Sequence, residues 1–358
     1  AVLETIGLAA PYAQSQPLKI REVELDAPGD GEVLIRIRAA GLCHSDLSVI
    51  SGDRPRPVPM AIGHESAAEV VACGPGVHDL QPGDRVAMVF MPSCGCCAPC
   101  AEGRPALCEP GAVANGAGTL LSGRRRLHLD GRDVHHHLGV SCFAEHAVVS
   151  RRSCVKIDWS DAELSHAEAA LFGCAVLTGA GAVINTARLQ AGTSAAVLGL
   201  GGVGFSALLA ALASGAREVV AIDLNEDKLA LARELGATMT VNAADADAAE
   251  AVRARTRGGV DFAFEMAGAI PAMDLAWKIT RRGGSTITAG LPHPDKRFQL
   301  PPVQMVAEER TLRGSYIGSA VPSRDIPRYI ELYKRGRLPV DRRKSTSMRM
   351  ALAGSFQS

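Results

Sequence analysis

The six residues Gly199-Leu200-Gly201-Gly202-Val203-Gly204 constrain this chain more than any other stretch. They follow an apolar run that reads as a strand (AAVLGL, from Ala195). They lead into an Ala/Leu-rich run that reads as a helix (FSALLAALASG, from Phe205). G-x-G-x-x-G at such a junction has a physical rationale. The first glycine permits the tight turn, the second lets the backbone approach a pyrophosphate, and the third lets helix and strand pack closely. The helix N-terminus then offers unpaired N–H groups and a partial positive charge to the phosphates. A second strand, EVVAID, ends at Asp223, about twenty residues beyond the turn, where an acid can accept hydrogen bonds from ribose hydroxyls. A 2′-phosphate there would meet a like charge, so NAD is expected rather than NADP. Lys228, one turn into the next helix, can reach the same ribose or remain a solvated helix-face lysine. The bland alternative for Asp223 is a residue that merely ends a strand.

The pattern continues with a helix over about 226–235 and strands at Val260–Phe264 and Gly284–Ala289. Strand and helix alternate, the sequence form of a Rossmann doubly wound parallel sheet. Upstream the texture differs. Val33–Ala39 alternates apolar and polar residues, and Glu69–Ala72 and Asp84–Phe90 supply further short strands. The turns Gly74-Pro75-Gly76 and Gln81-Pro82-Gly83-Asp84 separate them, which predicts an antiparallel, barrel-like module. Ala167–Gly192, rich in small residues, reads as a helical linker. The chain is therefore expected to be α/β, a β-rich domain joined to a parallel-sheet domain.

Lys plus Arg and Asp plus Glu both total 38, so no basic excess points to nucleic acid. The most apolar stretch, Ala195–Ala213, carries four glycines near its start and does not read as a membrane span. Ala1–Ala10 lacks the basic and apolar regions of a secretory leader, so the ten cysteines are expected in a reducing, cytoplasmic setting. Clustered cysteines there suggest metal rather than disulfides.

Four of them, Cys94, Cys97, Cys100 and Cys108, form C-x2-C-x2-C-x7-C in a loop of Gly, Pro and Ala. Four thiolates so close in sequence can close a tetrahedral zinc site with no open position, which is a structural site. Redox disulfides or an iron–sulfur cluster are the alternatives. Cys96 falls outside the three-residue step and reads as a non-ligand. A second site needs scattered ligands. Cys43 lies in GLCHSD, His64 in GHE, and Cys174 in the small-residue stretch before the parallel sheet. Together they would form a Cys2His site with its fourth position open to water or an alcohol. Individually, each is more often a buried core residue.

In this order, these motifs resemble the zinc-containing alcohol dehydrogenases of the medium-chain dehydrogenase/reductase superfamily, over about residues 5–340. The resemblance implies a GroES-like catalytic domain, 1–178 and 315–358, with a Rossmann NAD-binding domain, 179–314, inserted between its parts. It implies catalytic zinc on Cys43, His64 and Cys174 and structural zinc on Cys94, Cys97, Cys100 and Cys108, two ions per chain. Ser45 takes the relay-hydroxyl position, Asp46 the carboxylate that orients His64, and Glu65 the acid behind the zinc. Phe90, with Ser45, would line the substrate pocket. Thr178 and Val203 fall near the nicotinamide, and Gly199, Gly201, Gly202, Gly204, Asp223 and Lys228 near the rest of the cofactor. The segment from about Asn115 to Gly139 resembles an insertion of dimeric members, so a homodimer is expected. The implied reaction moves hydride between a small-molecule alcohol (primary, secondary or aromatic) and NAD+, giving an aldehyde or ketone. A thiol-adduct (formaldehyde-type) dehydrogenase, or an NAD-binding protein without turnover, are the rival readings. No membrane or nucleic-acid partner is expected.

Two positions depart from the family. Ser48 stands where members often carry the last histidine of the proton relay, leaving His44 as a substitute or as a pyrophosphate contact. After Val340 the tail DRRKSTSMRMALAGSFQS does not follow the family pattern. His135-His136-His137 reads as a polar surface loop and Arg124-Arg125-Arg126 as a solvated basic turn. Cys73, Cys142 and Cys154 read as small buried hydrophobes.

Overall fold

The structure, a computed structural model, describes residues 1–160 and 162–342, the side chain of Arg342 excepted. From residue 343 onward the atypical tail lies outside the described residues. Within them the chain forms two compact units: Ala1–Cys174 with Val321–Pro327, and Ala175–Ala320 with the chain from Arg328. The crossings thus fall after Cys174, Ala320 and Pro327, where the sequence reading placed them after 178 and 314. Cys174 itself breaks the local helix. Its φ of −136° and ψ of −75° separate the turn Leu171–Gly173 from the helix Ala175–Gly181.

The first unit is built on short strands. Glu32–Gly41 is the longest, and the expected alternation is visible in it. Val33 and Ile35 are fully buried while Arg36 and Arg38 face solvent. It pairs antiparallel with Glu65–Cys73 on one side and His146–Ser150 on the other. Arg85–Met88 and Cys154–Lys156 complete a five-stranded antiparallel sheet. Val33, Ile35, Val70, Val86, Met88 and Val149 pack into its core. A second sheet of six short strands joins the N-terminal Val2–Leu3, Met60–Ala61 and the hairpin Leu127–Leu129 and Arg132–His136.

That hairpin corrects two readings. His135-His136-His137 is not a surface loop. Met60–Ala61 pairs with His135 and His136, and His136 and His137 are 0% and 1% exposed. The basic run is only partly solvated. Arg126 Nε donates to Glu32 Oε2 at 2.8 Å, and Glu32, itself buried, also accepts from Ser122 Oγ at 2.7 Å. Arg125 Nε donates to His135 Nδ1 at 3.1 Å. A buried carboxylate needs such partners, and the pairing fastens the 122–136 segment to the main sheet. Of the three cysteines read as apolar fillers, Cys142 and Cys154 are buried and Cys73 is half-buried.

In the second unit six parallel strands stand in the order Met239–Asn242, Glu218–Asp223, Ser194–Leu198, Val260–Glu265, Thr280–Thr288, Thr311–Gly314. The order reverses at Ser194–Leu198, all five of whose residues are buried, as a strand covered on both faces should be. The carboxyl end of that central strand is the switch point where open α/β sheets bind ligands. It opens onto the glycine turn.

Candidate active site

Gly199 adopts φ +89°, a conformation that L side chains rarely take, so the chain can turn sharply off the strand. The helix Gly202–Ala213 starts at once. A Cβ on Gly204 would lie 1.8 Å from the Gly199 carbonyl oxygen, so the helix could not approach this closely with any other residue. At Gly201 the same test meets nothing within 4 Å. The turn is thus filled on its helix side and open where a pyrophosphate would approach, which fits a dinucleotide. Asp223 ends the neighbouring strand. Its Oδ2 accepts the Leu200 N–H at 2.6 Å and its Oδ1 the Asn225 N–H at 3.0 Å, with Lys228 Nζ at 3.6 Å. A cavity of about 520 Å³ adjoins it, walled by Leu198, Ile222, Ala243, Ala267 and Ala272, of a size and polarity suited to a nucleoside. Thr178 is half-buried on the helix Ala175–Gly181, and Val203 is half-buried in the first turn of the glycine-turn helix.

One residue here escaped the sequence reading. Glu265, 1% exposed at the end of its strand, accepts from Ala267 N at 2.9 Å, Gly268 N at 2.6 Å and Thr288 Oγ1 at 2.8 Å. It ties the loop at Ala267 and Gly268 to the end of the next strand, Thr280–Thr288, at the carboxyl edge of the sheet. The only signal in the sequence was an acid ending an apolar strand.

In the first unit, Cys43 caps the helix His44–Ile50, His64 precedes the strand Glu65–Cys73, and Cys174 occupies the helix break. Their ligand atoms lie within 4.8 Å of one another, with Cys174 Sγ 3.6 Å from His64 Nε2. His64 Nδ1 lies 2.9 Å from Asp46 Oδ1, which leaves Nε2 facing the two sulfurs. Asp46 Oδ2 accepts the Cys43 N–H at 3.0 Å, so one buried carboxylate fixes two of the three donors.

Mutual contact and Asp46 set the titration of the three donors, and the protons held on His64 and Cys174 would leave when a metal binds. Contact with Cys174 pulls the Cys43 thiol well below its usual value against the opposing effect of burial, with His64 adding to the pull. Cys174 shifts well upward, through the same contact and through burial. For His64, burial disfavours the charge, but Asp46 and Cys43 outweigh it and raise the imidazole. Asp46 likewise stays ionised against burial, held by His64 and His137. A thiol drawn toward thiolate beside a carboxylate-held imidazole is a donor set that suits a divalent ion, and three donors leave a tetrahedral position free.

Around this triad, Phe90 is buried and its ring meets His64 edge-on, centroids 5.4 Å apart. Ser45 is half-buried and His44 exposed at the start of their helix. Glu65 is 3% exposed. Ser48 is not placed to carry protons onward, because it is buried and its Oγ donates to the His44 carbonyl at 3.0 Å. His137, which the sequence reading set aside, lies 3.3 Å from Asp46 through Nδ1.

The four lobe cysteines also converge. Cys94, Cys97, Cys100 and Cys108 bring their sulfurs within 4.8 Å of one another. Backbone N–H groups point at them: Cys97 N at 3.3 Å from Cys94 Sγ, and Cys94 N and Gly111 N at 3.2 and 3.4 Å from Cys108 Sγ. The N–H groups of Cys96 and Cys97 lower Cys94 to about 6, whereas burial raises Cys100 to about 12. Cys96 is exposed and stands outside the four-sulfur group. Four sulfurs fit a closed tetrahedral zinc.

Comparison with known proteins agrees with these two units. Residues 29–159 match the alcohol dehydrogenase GroES-like domain, and residues 202–335 the zinc-binding dehydrogenase domain. An alcohol dehydrogenase zinc-binding domain protein from Burkholderia ambifaria is 34% identical, with a TM-score of 0.88, over 96% of this chain and 90% of its own. A benzyl alcohol dehydrogenase from Acinetobacter calcoaceticus is 32% identical, TM-score 0.85, over 90% and 87%. A Sinorhizobium meliloti 1021 protein described as a zinc-binding dehydrogenase, bound to NADP, is 27% identical, TM-score 0.74, over 95% and 89%. Among the described residues no single helix is long and apolar enough to cross a membrane. The GroES-like and parallel-sheet units, the two metal-suited clusters and these relatives agree: the chain belongs to the zinc-containing alcohol dehydrogenases of the medium-chain dehydrogenase/reductase superfamily.

Proposed function

We propose that this protein interconverts an alcohol and its aldehyde or ketone with NAD, holding two zinc ions per chain. The observation that carries the reading is the convergence of Cys43, His64 and Cys174 around one point, with Asp46 behind His64. Cys43, His64 and Cys174 would hold the catalytic ion, and the four lobe cysteines a structural one. Bound there, zinc supplies Lewis acidity that lowers the pKa of an alcohol hydroxyl. NAD supplies the hydride acceptor.

The residues do the rest. Asp46 keeps His64 in the Nδ1–H tautomer and so presents Nε2 as a donor. Phe90 shields one side of His64 and favours an apolar or aromatic substrate, and the benzyl alcohol dehydrogenase likeness supports the same class. Ser45 Oγ accepts the alcohol proton and passes its own on. Ser48 is committed to its helix, so the next acceptor is water, the cofactor ribose or exposed His44. We assign Glu65 to the electrostatic field behind the ion, and His44 also to the cofactor pyrophosphate. Gly199, Gly201, Gly202 and Gly204 would frame the pyrophosphate, Asp223 and Lys228 the adenosine ribose, and Thr178 and Val203 the nicotinamide. The Asp223 carboxylate, held by two backbone N–H groups, favours NAD over NADP by like-charge repulsion.

We also propose a homodimer. Val303 and Val306 on the helix Pro302–Ala307 are 70% and 80% exposed beside the edge strand Thr311–Gly314. Among the described residues that strand is the last of its sheet, and such an edge, with exposed apolar side chains on the helix before it, invites a second copy.

Steady formation of reduced nicotinamide from benzyl and aliphatic alcohols, with and without added glutathione, tests the activity. Activity independent of thiol is expected. No turnover with any alcohol by zinc-loaded protein would overturn the reading, and strict thiol dependence would move it to the thiol-adduct enzymes.

A further inference from the structure

His137 is a buried polar group beside the metal-suited triad that the proposed reaction leaves unused. It follows the strand Arg132–His136 and is 1% exposed. Its backbone is fixed: the N–H donates to Ala61 O at 3.2 Å and to Ser141 Oγ at 3.0 Å. Its ring stands edge-on to His64, centroids 5.4 Å apart, on a site whose other aromatic neighbour is Phe90. Its Nδ1 has no aligned hydrogen-bond partner among the described residues, and Asp46 Oδ1 lies 3.3 Å away. That oxygen is the one His64 Nδ1 approaches at 2.9 Å. A carboxylate oxygen has two lone pairs and can take an N–H from each ring.

We infer that His137 is a positioning residue for the metal site: sharing Asp46 Oδ1 with His64, it pins the carboxylate that aims His64 Nε2 at Cys43 and Cys174. The inference rests on the metal-site reading above. Asp46 Oδ2 accepts the Cys43 N–H, and Oδ1 lies 2.9 Å from His64 Nδ1. Both contacts come from the metal-suited residues themselves, so neither ties the carboxylate to the rest of the fold. An N–H from His137, whose backbone is fixed to Ala61 and Ser141, supplies that tie and holds the His64 ring in tautomer and direction. Outer partners of metal-bound histidines act in this way on affinity.

Asparagine and glutamine separate this role from packing. Asn places an N–H close to the position of the histidine Nδ1, whereas Gln places it near Nε2. Zinc affinity of the full chain is measured by competition with a chromogenic chelator. In parallel, cobalt(II) taken up at the site is followed by its visible spectrum. His137→Gln is expected to lower affinity at the Cys43–His64–Cys174 site by on the order of tenfold and to shift the cobalt bands. His137→Asn is expected to stay near wild type, and metal in the four-cysteine lobe to be unchanged in both. His137→Leu gives the same comparison if either variant fails to fold. Wild-type affinity in both His137→Gln and His137→Leu overturns the clamp, and so does equal weakening by Asn and Gln, which would indicate packing. Cys43→Ala distinguishes the underlying reading. If that variant still binds two zinc ions per chain, the metal site itself is wrong and the clamp falls with it.

Discussion

His64 Nε2 lies 3.6 Å from Cys174 Sγ although 110 residues separate them in sequence. Nothing local brings them together. Gly63-His64 leads into the strand Glu65–Cys73, while Cys174 sits where the helix breaks at φ −136° and ψ −75°. Losing one of the three donors should therefore empty one site only. Cys174→Ala is expected to reduce zinc from two ions per chain to one and turnover to background, with the lobe metal retained. Elemental analysis together with an alcohol assay checks it, and full activity with one zinc would contradict the ligand assignment.

The glycine turn predicts opposite outcomes three residues apart. Gly204→Ala forces a Cβ to within 1.8 Å of the Gly199 carbonyl, so the helix must move, at about 1–3 kcal/mol of stability. Gly201→Ala meets open space at φ −83° and should leave stability within about 0.5 kcal/mol of wild type. That methyl instead occupies the approach of the pyrophosphate. NADH affinity is expected to fall at least tenfold, read by fluorescence titration beside urea unfolding.

Asp223→Asn removes the charge at the end of its strand but keeps one oxygen to accept the Leu200 N–H. The ratio of kcat/KM for NADP over NAD should rise about tenfold, about 1.4 kcal/mol. An unchanged ratio would mean that another group sets cofactor choice.

His136 makes stability depend on pH. Burial lowers it to about 4, and its Nε2 accepts the Arg126 N–H at 3.1 Å, which requires the neutral ring. The unfolded chain, with an ordinary imidazole, binds more protons between about pH 6.5 and 4. The stability tied to the neutral ring is therefore complete above about pH 6.5 and is lost progressively as pH falls toward 4, by about 3 kcal/mol. In His136→Gln, which keeps an acceptor without a titrating ring, that loss should be absent. The stability difference between the two proteins at pH 7 and pH 4 gives the answer.

For the dimer, Val306→Asp places a charge on a side chain 80% exposed in this chain. A folded monomer is expected by light scattering, with the unfolding transition of the single chain preserved. A dimer unchanged in the variant would move the interface elsewhere.

Much of the fold was legible because it is written locally. The strand over Val33–Ala39 follows from alternation, and the structure extends it only to Glu32–Gly41. The parallel sheet follows from alternating apolar runs and helices, and the glycine turn from spacing alone. The histidine triplet was not legible. Consecutive polar residues resemble an exposed loop unless the neighbouring chain is known. Here Met60–Ala61 supplies that neighbour from far away in sequence and buries His136 and His137. Glu265 was missed for a different reason: two of its partners are the N–H groups of Ala267 and Gly268, two and three residues on, in a turn that carries no sequence motif, and only Thr288 Oγ1 comes from another strand.

The sequence by itself therefore determined the parallel-sheet unit, the turn at Gly199–Gly204 and the candidate lobe cysteines, because each depends on residues close along the chain. Tertiary structure alone decided that Cys43, His64 and Cys174 converge and that Asp46 lies behind His64 with His137 beside it. Those relations depend on strand pairing and burial between distant segments. Side-chain direction and the cost of leaving a polar group unpaired become fixed only when those segments meet.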